Sequence, residues 1–205
     1  MTLWQHAGDY DIELDGQGLM STRAPGSERA LADLAAQALT DKAQPRVLIG
    51  GLGLGFTLGA VLDVLPPGAS VVVVEFFETI VDWNRKFSFE SATDRLADPR
   101  VIVEVTDVVD YLRKLTQPFD AIVLDVDNGP EGLVRRDNDW LYGPAGLRAA
   151  RAALRPRGVV AVWSASPDRA FSARLRAAGF DVAEHGVRPH RAGKGPRHRV
   201  WIGAT

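Results

Sequence analysis

Two kinds of hydrophobic pattern divide the chain. Residues 10–14 alternate polar and apolar positions, Asp15-Gly16 has the composition of a hairpin turn, and residues 19–21 resume the alternation. This pattern predicts a small N-terminal β-hairpin. Apolar residues at helical spacing follow Ser27 and stop before Pro45, so we expect a helix there with Ser27 as its N-terminal cap.

From residue 46 onward, short apolar runs alternate with amphipathic segments. The predicted strands cover residues 46–50, 70–75, 101–105, 119–125 and 159–163, and the predicted helices cover about 57–65, 78–87, 108–115, 144–154 and 167–178. The run from Val71 to Val74 does not alternate, which is typical of a parallel strand covered on both faces. Residues 180–184 and 199–202 can pair as a final antiparallel hairpin. The order of elements predicts an α/β fold with a doubly wound, mostly parallel sheet.

Composition narrows the class of protein. A chain of 205 residues with 46% hydrophobic residues and no Pro/Ser/Gly-rich linker suits one domain with small additions. No apolar run approaches the roughly 18 residues of a membrane helix, and residues 1–10 do not resemble a signal sequence, so we expect a cytoplasmic protein. Without cysteine, and with four histidines that lack ligand spacing, no metal site is expected.

Charge is unevenly distributed along the chain. The formal net charge is −2, yet no acid follows Glu184. Five basic residues do follow it: Arg188, Arg191, Lys194, Arg197 and Arg199. A solvated hairpin loop is the simplest interpretation, and an anionic ligand or partner is the alternative. Nucleic-acid binding is not expected, because no aromatic residues are interleaved with these charges.

A glycine-rich turn follows the first predicted strand of the sheet. Gly51, Gly53 and Gly55 let the backbone approach a ligand closely, and the next helix directs free N–H groups at an anionic group. Glu75 ends the following strand, where a carboxylate accepts hydrogen bonds from ribose hydroxyls. The pair predicts an adenosine-containing ligand. The spacing does not match the dinucleotide fingerprint, and no Lys-Ser/Thr pair follows as in a P-loop.

Two further acids stand where predicted strands end. Asp107 and Asp125 belong to the same edge of the sheet as the glycine turn. Acids are costly to bury there unless a cationic or hydrogen-bonding group meets them. The structural alternatives are that Asp107 caps a helix, and that Asp125 and Asp127 form a turn before residues 128–130.

Taken in order, these motifs resemble the spermidine synthase (polyamine aminopropyltransferase) family of class I S-adenosylmethionine-dependent transferases. The resemblance covers roughly residues 10–203. It rests on the glycine loop 47–55, on Val74-Glu75, on Asp98-Pro99-Arg100-Val101 leading to Thr106-Asp107, on Phe119-Asp120-Ala121-Ile122-Val123-Leu124-Asp125, and on residues 141–159. It implies a Rossmann-like, class I methyltransferase-type sheet in residues 26–205, with residues 1–25 as a β-hairpin extension.

The resemblance also implies roles for individual residues. The cofactor is S-adenosylmethionine or its decarboxylated form, the acceptor is a polyamine and the reaction is aminopropyl transfer. The implied cofactor-binding residues are Gly51, Gly53, Gly55, Glu75, Thr106, Asp107 and Asp125. Asp125 is the implied catalytic base, and Asp127 is the candidate to replace the family's second acid, whose position is occupied by Asn128. Leu54 and Asn128 stand where the family has acids, and residues 21–28 replace the family's N-terminal elements.

These replacements keep other functions open. Methyl transfer to a small substrate needs mainly alignment and a usable nucleophile, so it is the chief alternative. A non-catalytic cofactor-binding module, acting as a homodimer or through the basic segment, and a nicotinamide oxidoreductase are the others. Trp140, Tyr142 and Trp163 either line a pocket or pack in the core.

Overall fold

A computed structural model describes residues 1–23, 25–87, 89, 94–126, 130, 138–188 and 197–205. The strands are β1 (Thr2–His6), β2 (Asp9–Leu14), β3 (Gln17–Ser21), β4 (Arg46–Gly50), β5 (Ser70–Glu75), β6 (Val101–Val105), β7 (Phe119–Leu124), β8 (Leu154–Ser164), β9 (Asp181–Val187) and β10 (His198–Ala204). The helices are α1 (Gly26–Ala36), α2 (Phe56–Val64), α3 (Glu78–Phe87), α4 (Val108–Arg113), α5 (Asn138–Tyr142), α6 (Pro144–Ala152) and α7 (Arg169–Ala177).

The main sheet has the predicted doubly wound architecture. Its strand order is β6-β5-β4-β7-β8-β10-β9. The first five of these are mutually parallel, and β10 runs antiparallel to both β8 and β9. The prediction of a mostly parallel sheet with a final antiparallel hairpin is therefore confirmed. The winding direction reverses between β4 and β7, which is where ligands of such sheets bind.

Helices cover both faces of this sheet. Val71 and Val73 point into a core with α1, α2 and α3, whereas Val72 and Val74 point into a second core with α4, α6 and α7. Successive residues of a strand face opposite sides, so a strand between two helical layers needs apolar residues at every position. This burial on both faces explains the run of valines from Val71 to Val74.

A separate three-stranded antiparallel sheet, in the order β1-β2-β3, forms the start of the chain. The predicted hairpin corresponds to β2 and β3, and β1 is an additional strand that pairs with β2 from Thr2↔Glu13 to His6↔Asp9. Ile12 of β2 is fully buried against Leu54 and Phe56. The N-terminal sheet therefore packs directly on the glycine turn.

Several boundaries differ from the prediction. The prediction that Ser27 caps α1 is wrong, because Pro25 occupies the cap position and Ser27 lies in the first turn. The hydroxyl of Ser27 instead donates to Glu28. Asp168 caps α7 by accepting from the amides of residues 170 and 171. The strand predicted at 159–163 begins at Leu154, and α5 was not predicted.

Asp120 ties the amino ends of three strands together. It is 2% exposed, and its Oδ2 accepts from the amide of Arg46 and from Nη1 of Arg155, both at 2.8 Å. Its Oδ1 lies 3.0 Å from Nζ of Lys42. Burial alone would raise the pKa of Asp120, but the Arg46 amide, Lys42 and Arg155 outweigh it and leave the pKa lowered. The carboxylate thus holds β4, β7 and β8 in register at the edge opposite the glycine turn.

Candidate functional site

The glycines of the turn are required by close packing within the protein. Gly51 has φ 90°, and a Cβ there would overlap the carbonyl oxygen of Asp125. Gly53 has φ 53°, and a Cβ there would overlap the thioether of Met20. Gly55 is the N-cap of α2 with φ 82°, and its Cβ would lie 2.9 Å from Oδ1 of Asn84. All three positions therefore have a packing requirement for glycine, and the close approach to a ligand that the sequence suggests stays a prediction.

Glu75 fastens the glycine turn to the end of β5. It is 5% exposed, and its Oε2 accepts from the amide of Leu52 at 2.9 Å while Oε1 accepts from the amide of Phe77 at 2.8 Å. Burial raises the pKa of Glu75, and these amide hydrogen bonds oppose the rise. The amides of Gly53 and Phe76 act in the same direction, so backbone N–H groups of the glycine turn and of the segment after β5 surround the carboxylate.

The end of β6 lies beside Glu75. The amide of Thr106 donates to the carbonyl of Glu75 at 3.0 Å. Asp107 then caps α4, because its Oδ1 accepts from the amide of Val109 at 2.7 Å. The capping role predicted from sequence is therefore confirmed, and the same residue also lines the cleft that the glycine turn borders.

Asp125 follows β7 on the other side of the glycine turn. Its amide donates to the carbonyl of Gly50 at 2.9 Å, and its Oδ2 accepts from Oγ1 of Thr57 at 2.6 Å. Burial, and next the charge of Glu28, raise the pKa of Asp125 to about 7, against the opposing effect of Thr57. A carboxyl group with this pKa accepts a proton effectively near neutral pH.

Glu28 is a functional candidate that the sequence did not identify. It lies in the first turn of α1, and Ser27 Oγ donates to its Oε2 at 2.7 Å. Burial raises the pKa of Glu28, and the hydrogen bond from Ser27 opposes the rise. Its proximity to Asp125 depends on how α1 packs, and no motif signals that packing.

One cleft collects most of the predicted site residues. It offers about 810 Å³ of free space, part of it open to solvent. Its walls include Gly51, Gly53, Glu75, Thr106, Asp107 and Asp125. Residues Met1, Ile12, Leu19 and Met20 of the N-terminal sheet also line it. Gly55 supports the turn from outside the wall, and Asp127 and Asn128 lie outside the described residues. The ligand-binding roles of these residues stay predictions.

Trp140, Tyr142 and Trp163 lie outside the wall of this cleft. Tyr142 is 2% exposed and its hydroxyl donates to the carbonyl of Val126 at 3.2 Å. Trp140 packs under the guanidinium of Arg113, and the ring of Trp163 meets His198 edge-on at 5.0 Å. The core-packing alternative therefore describes all three better than a place in the cleft wall.

Two kinds of feature are absent from the part of the chain that the structure describes: a cluster of metal ligands and a membrane-spanning helix. Within those ranges, no three His, Asp or Glu side chains come together as a set that could hold a metal ion. Over the same ranges, no helix combines the length and apolar character needed to cross a membrane. Of the basic segment, Arg199 is described with an ion pair to Glu184 at 3.6 Å, and residues 189–196 lie outside the described residues.

The chain is similar to several known proteins. A polyamine aminopropyltransferase from Saccharolobus solfataricus is 26% identical over 121 residues, which cover 59% of this chain and 39% of that protein. The crystal structure of spermidine synthase from Thermotoga maritima matches with a TM-score of 0.75 at 19% identity, covering 95% of this chain and 65% of that one. Human methyltransferase-like protein 13, in complex with SAH, matches with a TM-score of 0.62 at 19% identity, covering 86% of this chain and 79% of that one.

These likenesses differ in what they establish. The two structural matches show the fold alone, a Rossmann-like sheet shared by spermidine synthase and a methyltransferase-like protein. The chain spans 39% of the curated relative and just under two thirds of the spermidine synthase structure. The family model of the spermine/spermidine synthase domain matches residues 28–169, which is more than half of the chain. The chain therefore belongs to the spermine/spermidine synthase domain family.

Proposed function

We propose that this chain is a transferase that binds an S-adenosylmethionine-type cofactor in the cleft and transfers its aminopropyl group to an amine. The observation that carries the proposal is the convergence of Glu75, Asp107 and Asp125 with the glycine turn on one cleft. That cleft lies at the reversal point of the sheet, where ligands bind in this architecture.

The residues present fit an adenosyl group. Glu75 places a carboxylate in the cleft wall as an acceptor for ribose hydroxyls, and Thr106 and Asp107 place polar atoms beside it. Phe76 and Val108 add apolar wall for a purine ring. The decarboxylated form of the cofactor suits this reaction, because its three-carbon chain ends in an amine.

Asp125 is the proposed proton acceptor. It takes a proton from the ammonium of the acceptor, which leaves a neutral amine with a free electron pair. When bound, the cofactor would supply the electrophilic carbon: the amine nitrogen would form a bond to it as the carbon–sulfur bond breaks, and sulfur would keep the electron pair as a neutral thioether. The hydrogen bond from Thr57 fixes the orientation of the carboxylate for the proton transfer.

Methyl transfer to a small substrate is the second candidate function, and Leu54 favours it. This side chain is 1% exposed and packs with Ile12 and Phe56. The glycine turn therefore presents no carboxylate at position 54 to engage the amine of an aminopropyl group. A methyl group needs no such partner.

Product analysis tests the proposal. The chain is incubated with decarboxylated S-adenosylmethionine and putrescine, and in parallel with S-adenosylmethionine and a panel of small metabolites. Release of methylthioadenosine with an aminopropylated amine supports the first function, and release of S-adenosylhomocysteine supports the second. Binding of NAD(H) tighter than that of methylthioadenosine would contradict both. Self-association as a homodimer belongs to the same proposal and is checked by sedimentation.

A further inference from the structure

Asp125 and Trp163 are neighbours on the face of the sheet that α1 and α2 cover. Leu124 of β7 pairs with Val162 of β8, so the residue after each lies at the same level. Alternation places Asp125 on the side of Val123 and Trp163 on the side of Ala161, in the core beneath α1 and α2. The hydrogen bond from Thr57 of α2 agrees with this placement of Asp125.

The first turn of α1 covers the same place. Ser27 Oγ donates to Oε2 of Glu28 at 2.7 Å and lies 3.0 Å from Nδ1 of His198. His198 packs edge-on against Trp163. Glu28, Ser27, His198 and Trp163 thus form one contiguous chain of contacts beside Asp125, and α1 contacts both α2 and β7.

A second carboxyl group acts on Asp125 from α1. The carboxylate of Glu28 disfavours the ionisation of Asp125 and so raises its pKa. Glu28 is itself shifted in the same direction by burial. Two carboxyl groups held this way are stabilised by a cation placed between them.

Trp163 provides an independent observation. It is 9% exposed, and its Nε1 has no hydrogen-bond partner among the residues that the structure describes. Buried indole N–H groups normally have an acceptor. An indole N–H without an acceptor, on the residue at the same strand level as Asp125, is expected where a polar ligand binds.

We propose that Glu28 and Asp125 together bind the ammonium group of the acceptor amine, with Trp163 and His198 as the far wall of this subsite. The proposal rests on the proposed transferase function and names the group that selects its acceptor. Asp125 lines the cofactor cleft and is also the group on which the charge of Glu28 acts, so an amine held by both carboxyl groups lies next to the reacting carbon. Glu28 thereby supplies a carboxylate from α1, where Leu54 and Asn128 supply none.

Amine binding is measured directly, so the test does not depend on turnover. Putrescine and butylamine are titrated calorimetrically at pH 8 into the wild-type chain, free and saturated with methylthioadenosine, and into Glu28→Gln, Glu28→Asp and Asp33→Asn. Asp33 is an exposed acid on the same helix and is the matched control. We expect Glu28→Gln to weaken both amines at least tenfold, Glu28→Asp to weaken them less, and Asp33→Asn to bind like wild type.

Each outcome of these titrations decides one of the two proposals. Equal amine affinity in wild type and Glu28→Gln, or no amine binding by wild type, overturns the subsite. If Glu28→Gln does not fold, Glu28→Asp carries the test, and unchanged amine affinity in that variant again rejects the subsite. If the wild-type chain does not bind methylthioadenosine, the proposed function is contradicted instead. The amine titration of the free chain would still decide the subsite. In turnover, we expect Glu28→Gln to raise KM for the amine more than it lowers kcat.

Discussion

Thr57 donates a hydrogen bond of 2.6 Å from Oγ1 to Oδ2 of Asp125, and so links the first turn of α2 to the end of β7. Thr57 is itself buried, at 2% exposed, which fixes its hydroxyl in place. The bond determines which oxygen of Asp125 remains for a substrate, because Oδ2 is already engaged.

Replacing Asp125 with asparagine is expected to abolish proton acceptance while preserving the fold. The amide oxygen of asparagine can still accept from Thr57, so the local geometry is retained. Turnover should fall by about 10²–10⁴-fold, the usual contribution of a general base. The measurement is methylthioadenosine release by liquid chromatography, with the affinity for methylthioadenosine itself as the control. Retained turnover would remove Asp125 from the mechanism.

The pH dependence of turnover should report the same group. Because the pKa of Asp125 is raised to about 7, kcat/KM is expected to fall about tenfold per pH unit below that value. Thr57 lowers the pKa of Asp125, so Thr57→Val should move this acid limb to higher pH. Both proteins are assayed with one amine, which cancels the ionisation of the substrate. An acid limb at the same pH in both would contradict the assignment.

Asp125 should also destabilise the folded chain at high pH. Its pKa is about 7 when folded, against a usual value of 3.8, so the folded state binds more protons between these limits. The stability contributed by the protonated group is full below about pH 4 and is lost as the pH rises through 7. The shift corresponds to at most about 4 kcal/mol. Asp125→Asn should therefore raise Tm at pH 8 by several degrees and leave it nearly unchanged at pH 4.

A calorimetric scan of both proteins across this pH range provides the check. A Tm difference that is equal at pH 4 and pH 8 would mean that the burial of Asp125 costs the folded state nothing.

The fold was largely predictable from sequence because local patterns determine it. The unalternating run from Val71 to Val74 belongs to a strand buried on both faces, and the structure places it between two helical layers. By contrast, β1 was missed because the side chains of Thr2–His6 are mostly exposed, so no apolar alternation marks the strand. The cap position of α1 was misplaced because Ser27 uses its hydroxyl on Glu28.

The site was predictable only in part. The acids at strand ends could be identified, because a charged residue directly after a buried strand lies at the edge where such sheets bind ligands. Glu28 could not be identified, because its effect on Asp125 depends on the tertiary packing of α1 over β7. The structural role of the glycines was also hidden, since the contacts of Gly51 with Asp125 and of Gly53 with Met20 join distant segments.

The glycine turn gives a stability prediction with an internal control. Gly51→Ala places a Cβ against the Asp125 carbonyl at a φ of 90°, which combines a backbone clash with strain. Gly16→Ala has a similar φ of 79°, but nothing lies within 4 Å of its Cβ. Gly16→Ala is expected to cost about 1 kcal/mol from strain alone, and Gly51→Ala at least twice as much. Urea denaturation measures the free energy of unfolding of both variants. Equal losses would mean that the glycine turn rearranges around the added Cβ without losing stability.

Glu75 should be needed for both the turn and the ligand. In Glu75→Gln, the side-chain NH₂ would face the amide of either Leu52 or Phe77, so one buried backbone donor loses its acceptor. We expect a loss of about 1–3 kcal/mol in stability from that unpaired group. Affinity for methylthioadenosine should fall at least tenfold, since a neutral amide oxygen is a weaker acceptor for a ribose hydroxyl than a carboxylate. Glu104→Gln, an exposed acid on β6 outside the cleft wall, is the matched control and should change neither quantity. If Glu75→Gln loses stability but binds methylthioadenosine as wild type does, Glu75 supports the turn and does not contact the ribose.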